Sequence, residues 1–352
     1  MIISNKLYGG DFEYYASKKS SLRFNEFFNL KNNHKFFSSG SNALSYIFRK
    51  ENLKNKKVLV PNYCCWSSIL PIIEEFNCKL DFYNIKNDLS LEIPKITNAD
   101  AIIIINYFGI NDYKKEGLKL RKTNPEICII LDNVQALFEL KNNGIKGKWA
   151  NWQFFSFRKF LPSPGGGLAL HLEKQMKPGK PIITNYDKIW NNASKLKKSF
   201  LSNQIRINEI EYLKEFEIAK YELRNSSKIK ISKLSYDQIN LQSFKSIAHS
   251  RIRNYKILYN ALSDLKETKY YFYELGKNCT PLFFPLILIN DERKTLLNKL
   301  KSKKLFCPIH WPLTKSKFTI KLPKFNDNII SIPIDQRYSE QDIRQISELL
   351  RE

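Results

Sequence analysis

The chain has 352 residues, about twice the usual single-domain length, and 43% of them are apolar, enough to bury a substantial core. Its 58 Lys and Arg against 34 Asp and Glu give a formal charge of +24. These charges run along the whole chain rather than in one arm, which fits an anionic small substrate and singles out no nucleic-acid partner. The longest apolar runs, Ala101–Ile105 continuing through Tyr107–Ile110 and Leu282–Ile289, fall far short of the roughly 20 residues of a membrane span. The N-terminus lacks an export-signal pattern, so a cytoplasmic protein is expected. Six cysteines without C-x-x-C spacing and four scattered histidines predict no metal site.

In chain order, Ser39-Gly-Ser-Asn-Ala-Leu44 opens a helix whose face is Ala43, Leu44, Ile47 and Phe48. Val58-Leu-Val60 is a short strand ended by Pro61. Trp66, Ile69, Leu70, Ile73 and Phe76 recur at helical spacing, and Leu80–Ile85 is the next strand. Ala101–Asn106 has the unbroken apolar character of a strand covered on both faces. A polar helix over Asp112–Lys122 leads to strands Ile127–Leu131 and Asn151–Ser156. This alternation predicts parallel β-α-β units in a layered α/β fold. Beyond residue 200 the spacing predicts long helices over Gln204–Arg224 and Asp237–Leu265, strand Leu282–Ile289, helix Asp291–Ser302 and a strand near Ile329–Ile332. A final helix is capped by Ser339 with Asp342. The boundary between a large part, 1–235, and a small one, 236–352, falls near residue 235.

Three segments can carry chemistry. Asp132 emerges from the carboxyl end of a buried strand, where open α/β sheets bind ligands, and Gln135 follows it. Taken singly, such an Asp is an ordinary turn former. Ser156-Phe-Arg-Lys159 follows the next strand and precedes Gly165-Gly-Gly167, conspicuous in a chain with only 12 glycines. Those glycines form either a plain hairpin turn or backbone passing close beside a bound group. The Ser39–Ser41 turn offers free amides and the positive end of a helix to an anion, although such caps are common on ordinary helices.

In this order, the Ser/Gly helix start, the Asp-x-x-Gln and the Ser-x-x-Lys resemble pyridoxal phosphate (PLP) enzymes of the aspartate-aminotransferase fold. Among these the sequence looks most like the DegT/DnrJ sugar aminotransferases. Ser39-Gly-Ser-Asn-Ala-Leu is similar to that family's Gly-Thr-x-Ala-Leu turn, and Leu131-Asp-Asn-Val-Gln135 to its Glu-Asp-x-Ala-Gln segment. Phe155-Ser-Phe-Arg-Lys-Phe-Leu-Pro-Ser-Pro-Gly-Gly-Gly167 resembles its lysine segment, and Ile332-Pro-Ile-Asp-Gln-Arg-Tyr its closing turn. Arg158 stands in a Ser-to-Lys spacing two residues shorter than in many relatives. Gly165 replaces the usual Glu, and Asn106 a strand His.

The resemblance implies a type I fold: α/β, with a mixed, mostly parallel seven-stranded sheet between helices and a smaller α+β C-terminal domain. It makes Lys159 the covalent attachment point of PLP and the acid/base, and Asp132 the partner of the pyridine nitrogen. Gln135 would touch the ring oxygen, while Gly40, Ser41, Asn42 and Ser156 would surround the phosphate. Trp66 is the choice for the ring face, with Tyr63 and Cys65 as the other candidates. His310 and Arg158 are the candidate substrate contacts. The implied reaction moves an amino group from an amino acid such as glutamate to a keto-sugar. By analogy the sugar is nucleotide-linked and serves surface-polysaccharide biosynthesis, and the enzyme is a homodimer. A PLP-dependent dehydratase, or a basic binding protein on a degenerate scaffold, are the alternatives.

Overall fold

The structure is a computed structural model and describes residues 6–13, 24–30, 32–95, 97–142, 149–177, 179–202, 209–225, 229–290, 292–313 and 318–352. A short helix α1 (Phe24–Phe27) precedes strand β1 (His34–Phe37) and helix α2 (Gly40–Lys50). Next come β2 (Lys57–Pro61), α3 (Trp66–Glu75), β3 (Lys79–Ile85), β4 (Leu91–Glu92), β5 (Ala101–Ile105) and α4 (Lys114–Thr123). Strands β6 (Cys128–Asp132), β7 (Trp152–Ser156) and β8 (Gly167–His171) complete the large sheet. Helices α5 (Asn185–Leu201), α6 (Glu209–Asn225), α7 (Lys233–Leu241) and α8 (Phe244–Ala261) follow. The chain ends with β9 (Tyr270–Phe272), β10 (Phe283–Leu288), α9 (Arg293–Ser302), β11 (Ile329–Pro333) and α10 (Glu340–Arg351).

The large sheet runs β1-β8-β7-β6-β5-β2-β3-β4, with five parallel strands from β7 to β3. Strand β8 is antiparallel to both of its neighbours. Every residue of β5 and β7 is buried, as expected of strands covered on both faces. Chain order reverses between β2 and β5, and that switch opens a crevice at the carboxyl ends of the strands. Seven strands were expected and eight are present. The addition is β4, two residues that fold back on the edge of β3 after a turn at Lys86–Ser90. Two residues are too few to show an alternating pattern.

The small sheet, β11-β10-β9, is antiparallel, and α8 packs on both β10 and α10. A continuous apolar cluster joins Ile102 and Ile130 of the large sheet to Phe284 and Ile330 of the small one. The expected helix over 237–265 is two helices, broken at extended Gln242. Ile239, Phe244 and Ile247 all bury in one phenylalanine-rich cluster, so the apolar spacing carries across the break. Of the helix expected over 204–224, α6 covers 209–225, and residues 203–208 lie outside the described ones. Helix α5 was not anticipated. The Ser339–Asp342 capping box is present as expected.

Candidate active site

Asp132 ends β6, paired with Ile105 of β5 and Phe154 of β7. The strand runs one residue further than the apolar pattern, so the carboxylate sits at the mouth of the crevice and is buried. Its Oδ1 accepts the Val134 N–H at 2.8 Å. Burial pushes its pKa up to about 7, and the Val134 amide and the charge of Lys159 only partly oppose this. Behind it, Asn133 Nδ2 donates to Gln153 at 2.8 Å and Asn133 Oδ1 accepts from Asn106 at 3.3 Å. Gln135 Oε1 accepts the Phe108 N–H at 2.8 Å, which fixes the amide at the end of β5.

Ser156 ends β7 and starts a single 3-10 turn, Phe157–Lys159. Lys159 is half-buried and forms no hydrogen bond or ion pair among the described residues. Its pKa is lowered, first by burial and then by Arg158. A lowered pKa favours the neutral amine, the nucleophilic form.

Gly40 begins α2 directly against these two strand ends. A methyl group built on Gly40 would stand 3.2 Å from Val134 Cγ2 and 3.5 Å from Ser156 Cβ. Three loops distant in the chain therefore meet, one with a carboxyl, one with a hydroxyl and an amine, and one with the open amides of a helix start. Ser39 caps that helix by accepting the Asn42 N–H at 3.2 Å, and Asn42 Nδ2 donates to Ser38 at 2.6 Å. Asn42 thus braces the turn, and Ser41 stays half-buried at its rim.

The glycine triplet supports this turn from behind. A Cβ on Gly165 would sit 2.6 Å from the Ser38 carbonyl, and one on Gly167 would overlap Ser39 and stand 2.7 Å from Gly40 N. The close approach is therefore to the backbone of the turn, because β8 pairs with β1 at Gly167↔Phe37.

The choice of Trp66 for the ring face is overturned. Its indole is 1% exposed and meets Phe82 edge-on at 6.1 Å, beneath α3. The helix begins at Trp66, so its first side chain turns back onto β3. Tyr63 is also buried, stacked on Tyr107 at 5.4 Å, with its hydroxyl donated to the His310 carbonyl. Cys65 alone of Tyr63–Trp66 is half-buried, with its Sγ 3.3 Å from Ser68 Oγ. Of the three candidates for the ring face it is the one whose side chain is not packed away in the core.

His310 is buried, with Nδ1 2.7 Å from Ser331 Oγ and its ring edge-on to Phe108 at 5.7 Å. Burial, then the charge of Lys159, lowers its pKa to about 3, so the ring is neutral at physiological pH. Arg158 and Lys159 both line a cavity of about 460 Å³.

Sequence reasoning missed the opposite wall of this cavity, which is built by Gly9–Phe12, Arg251, Asp335 and Arg337. Arg337 forms a fork on Asp335, with both contacts at 2.8 Å, and reaches Glu13 at 3.0 Å. Burial favours protonated Asp335, but Arg337 prevails and holds its pKa below the usual range. The paired Gly9-Gly10 was the one available signal for the N-terminal part of this wall.

No family model matches the sequence, and no curated protein does. Solved structures do match. Spr1654 of Streptococcus pneumoniae, in its PLP form, superposes with a TM-score of 0.67 at 12% identity over 97% of each chain. A DegT DnrJ EryC1 StrS aminotransferase from Brucella abortus gives 0.63 at 13% identity, over 93% of this chain and 87% of that one. DesI, solved in the presence of its TDP-sugar product, gives 0.63 at 12% identity over 93% and 82%. The chain shares their fold.

Proposed function

We propose, from a fold shared with PLP-form and sugar-product aminotransferase structures, that this chain is a PLP-dependent aminotransferase acting on a keto-sugar. One observation carries the proposal: Lys159 and Asp132 leave the carboxyl ends of adjacent strands, with the start of α2 packed against both loops. The residues present fit the cofactor. Gly40 leaves room that a side chain would take from the cradle formed with Ser156. Asp132 is a buried carboxyl that, among the described residues, accepts from a single backbone amide, which suits a protonated ring nitrogen.

In this reading Lys159 is the attachment point and later moves the proton at the carbon that bears the nitrogen. Asp132 holds positive charge at the ring nitrogen, and Gln135 orients the ring from the end of β5. Ser156, Gly40 and Ser41 bind the phosphate. Bound there, PLP supplies an electron sink for the carbanion. Cys65 faces the ring in place of an aromatic residue. Residues 1–235 form the cofactor-binding part and 236–352 the smaller one. A glutamate donor, a nucleotide-linked sugar destined for a surface polysaccharide and a homodimer rest on the sequence resemblance, and a cytoplasmic location on the short apolar runs and the N-terminal pattern.

The test is an absorption spectrum of purified protein with added PLP, wild type beside Lys159→Ala. A visible band bleached by borohydride in wild type and missing from the variant is expected. A wild-type protein that stays transparent refutes the reading.

A further inference from the structure

The cavity beside Lys159 is rich in positive charge, yet its guanidinium groups are not equivalent. Arg337 is saturated by Asp335 and Glu13. Arg251 donates to Gln336 Oε1 at 3.0 Å and to the Leu282 carbonyl at 2.8 Å. Arg158 forms no hydrogen bond or ion pair among the described residues, although it is half-buried. Two carboxylates lie close enough for their charge to reach it, Asp11 and Glu217. Both are bonded elsewhere, to the same ammonium: Lys220 Nζ stands 2.9 Å from Asp11 and 2.7 Å from Glu217.

A guanidinium has five N–H donors in a fixed fork, and removing them from water without acceptors is costly. Proteins arrange such groups where a carboxylate or phosphate will arrive and be gripped by two parallel bonds. Here the fork sits on the wall of an open cavity, one residue before the reactive amine. Burial lowers the Arg158 pKa, as it does for a cation short of partners.

We propose that Arg158 is an anion-binding residue of this cavity, holding a carboxylate or phosphate of the substrate close to the reacting carbon. This deepens the aminotransferase reading by naming the substrate as an acid, and it assigns the group that selects it. Arg158 is the leading charged neighbour of Lys159. An anion on the fork therefore lies near the amine as well, and neutral substrates leave the fork unsatisfied.

The test is calorimetric titration at moderate salt, which screens the exposed lysines. The probes are glutarate, inorganic phosphate and pyrophosphate. The proteins are the wild type, Arg158→Gln and Arg158→Lys, each with and without added PLP. Wild type should bind at least one probe roughly tenfold more tightly than Arg158→Gln, the scale of a charge-assisted pair, with Arg158→Lys in between. Glutarate preferred over both phosphates identifies a carboxylate substrate group, and the reverse order a phosphate.

Equal affinities in wild type and Arg158→Gln overturn the proposal, as does a wild type that binds none of the three. Should Arg158→Gln fail to fold, Arg158→Lys binding as tightly as wild type overturns it. Anion binding that depends on Arg158 in a protein that never takes up PLP upholds this subsite while the aminotransferase reading falls.

Discussion

The guanidinium of Arg251 lies 4.8 Å from the ring centre of Phe160, the residue that follows Lys159. Gln336, which accepts from Arg251, donates to the Phe160 carbonyl at 2.7 Å. Two residues from beyond position 236 thus grip the loop that presents the lysine. Arg251→Met keeps most of the volume but strands the Leu282 carbonyl and the Gln336 amide. We expect a loss of about 2–4 kcal/mol, since removing one member of a buried charged set leaves the rest unsatisfied. Urea unfolding reads this directly, and an unchanged midpoint would show that the grip contributes nothing.

Gly167→Ala should damage the helix start selectively. The new methyl would overlap the backbone at Ser39–Gly40, which cannot rotate away as a side chain can. Weaker uptake of PLP by at least tenfold is expected, with a stability loss of about 1–3 kcal/mol from overpacking. Gly179→Ala is the control, because nothing lies within 4 Å of its Cβ position. Matching PLP affinities in the two variants would sink the assignment of this turn to the phosphate.

Without cofactor, Asp132 should make stability fall as pH rises. The unfolded chain releases this proton near 3.8, the folded protein near 7, because burial outweighs the Val134 amide and Lys159. Between these values the folded state holds the extra proton, so stability declines through the window and the full cost applies above pH 7. The scale is about 1.4 kcal/mol per pH unit of window. Asp132→Asn lacks this penalty, so its stability advantage over wild type should widen from pH 4 to pH 8. His310, buried neutral, acts in the opposite sense as pH falls below 6.5, but it is common to both proteins and cancels in the difference. Parallel pH profiles would contradict the assignment.

Trp66 and Cys65 should separate cleanly. Trp66→Ala empties a core position and should cost about 3–5 kcal/mol without altering the spectrum of the PLP-loaded protein. Cys65 should react with a thiol reagent in the cofactor-free protein and be protected once PLP is bound. Cys128, also half-buried but outside the cavity, provides the internal comparison in a peptide mass map. Protection of both alike, or of neither, would remove Cys65 from the ring face.

The site was partly legible. Asp132, Ser156 and Lys159 could be found because each follows an apolar run, and a strand's end is visible wherever burial on both faces demands such a run. Gly40 was legible through its Ser/Gly turn. Trp66 was chosen for the ring face from the resemblance, whereas its helical spacing with Ile69, Leu70 and Ile73 fits the buried face on which the structure places it. Arg251 and Arg337 gave no signal, since among 58 basic residues a buried arginine looks like any other.

The sequence by itself determined the β-α alternation, the strand ends at which Asp132 and Ser156 stand and the capped last helix. These follow from periodicity and burial within a dozen residues. Only the tertiary structure decided which cations find carboxylates, that Lys220 takes both neighbours of Arg158, and that Gly9–Phe12 closes the far wall of the cavity. The Lys220–Glu217 pair is one turn of α6, but Asp11 comes from the far end of the chain, and no local pattern encodes its approach to Lys220 and Arg158.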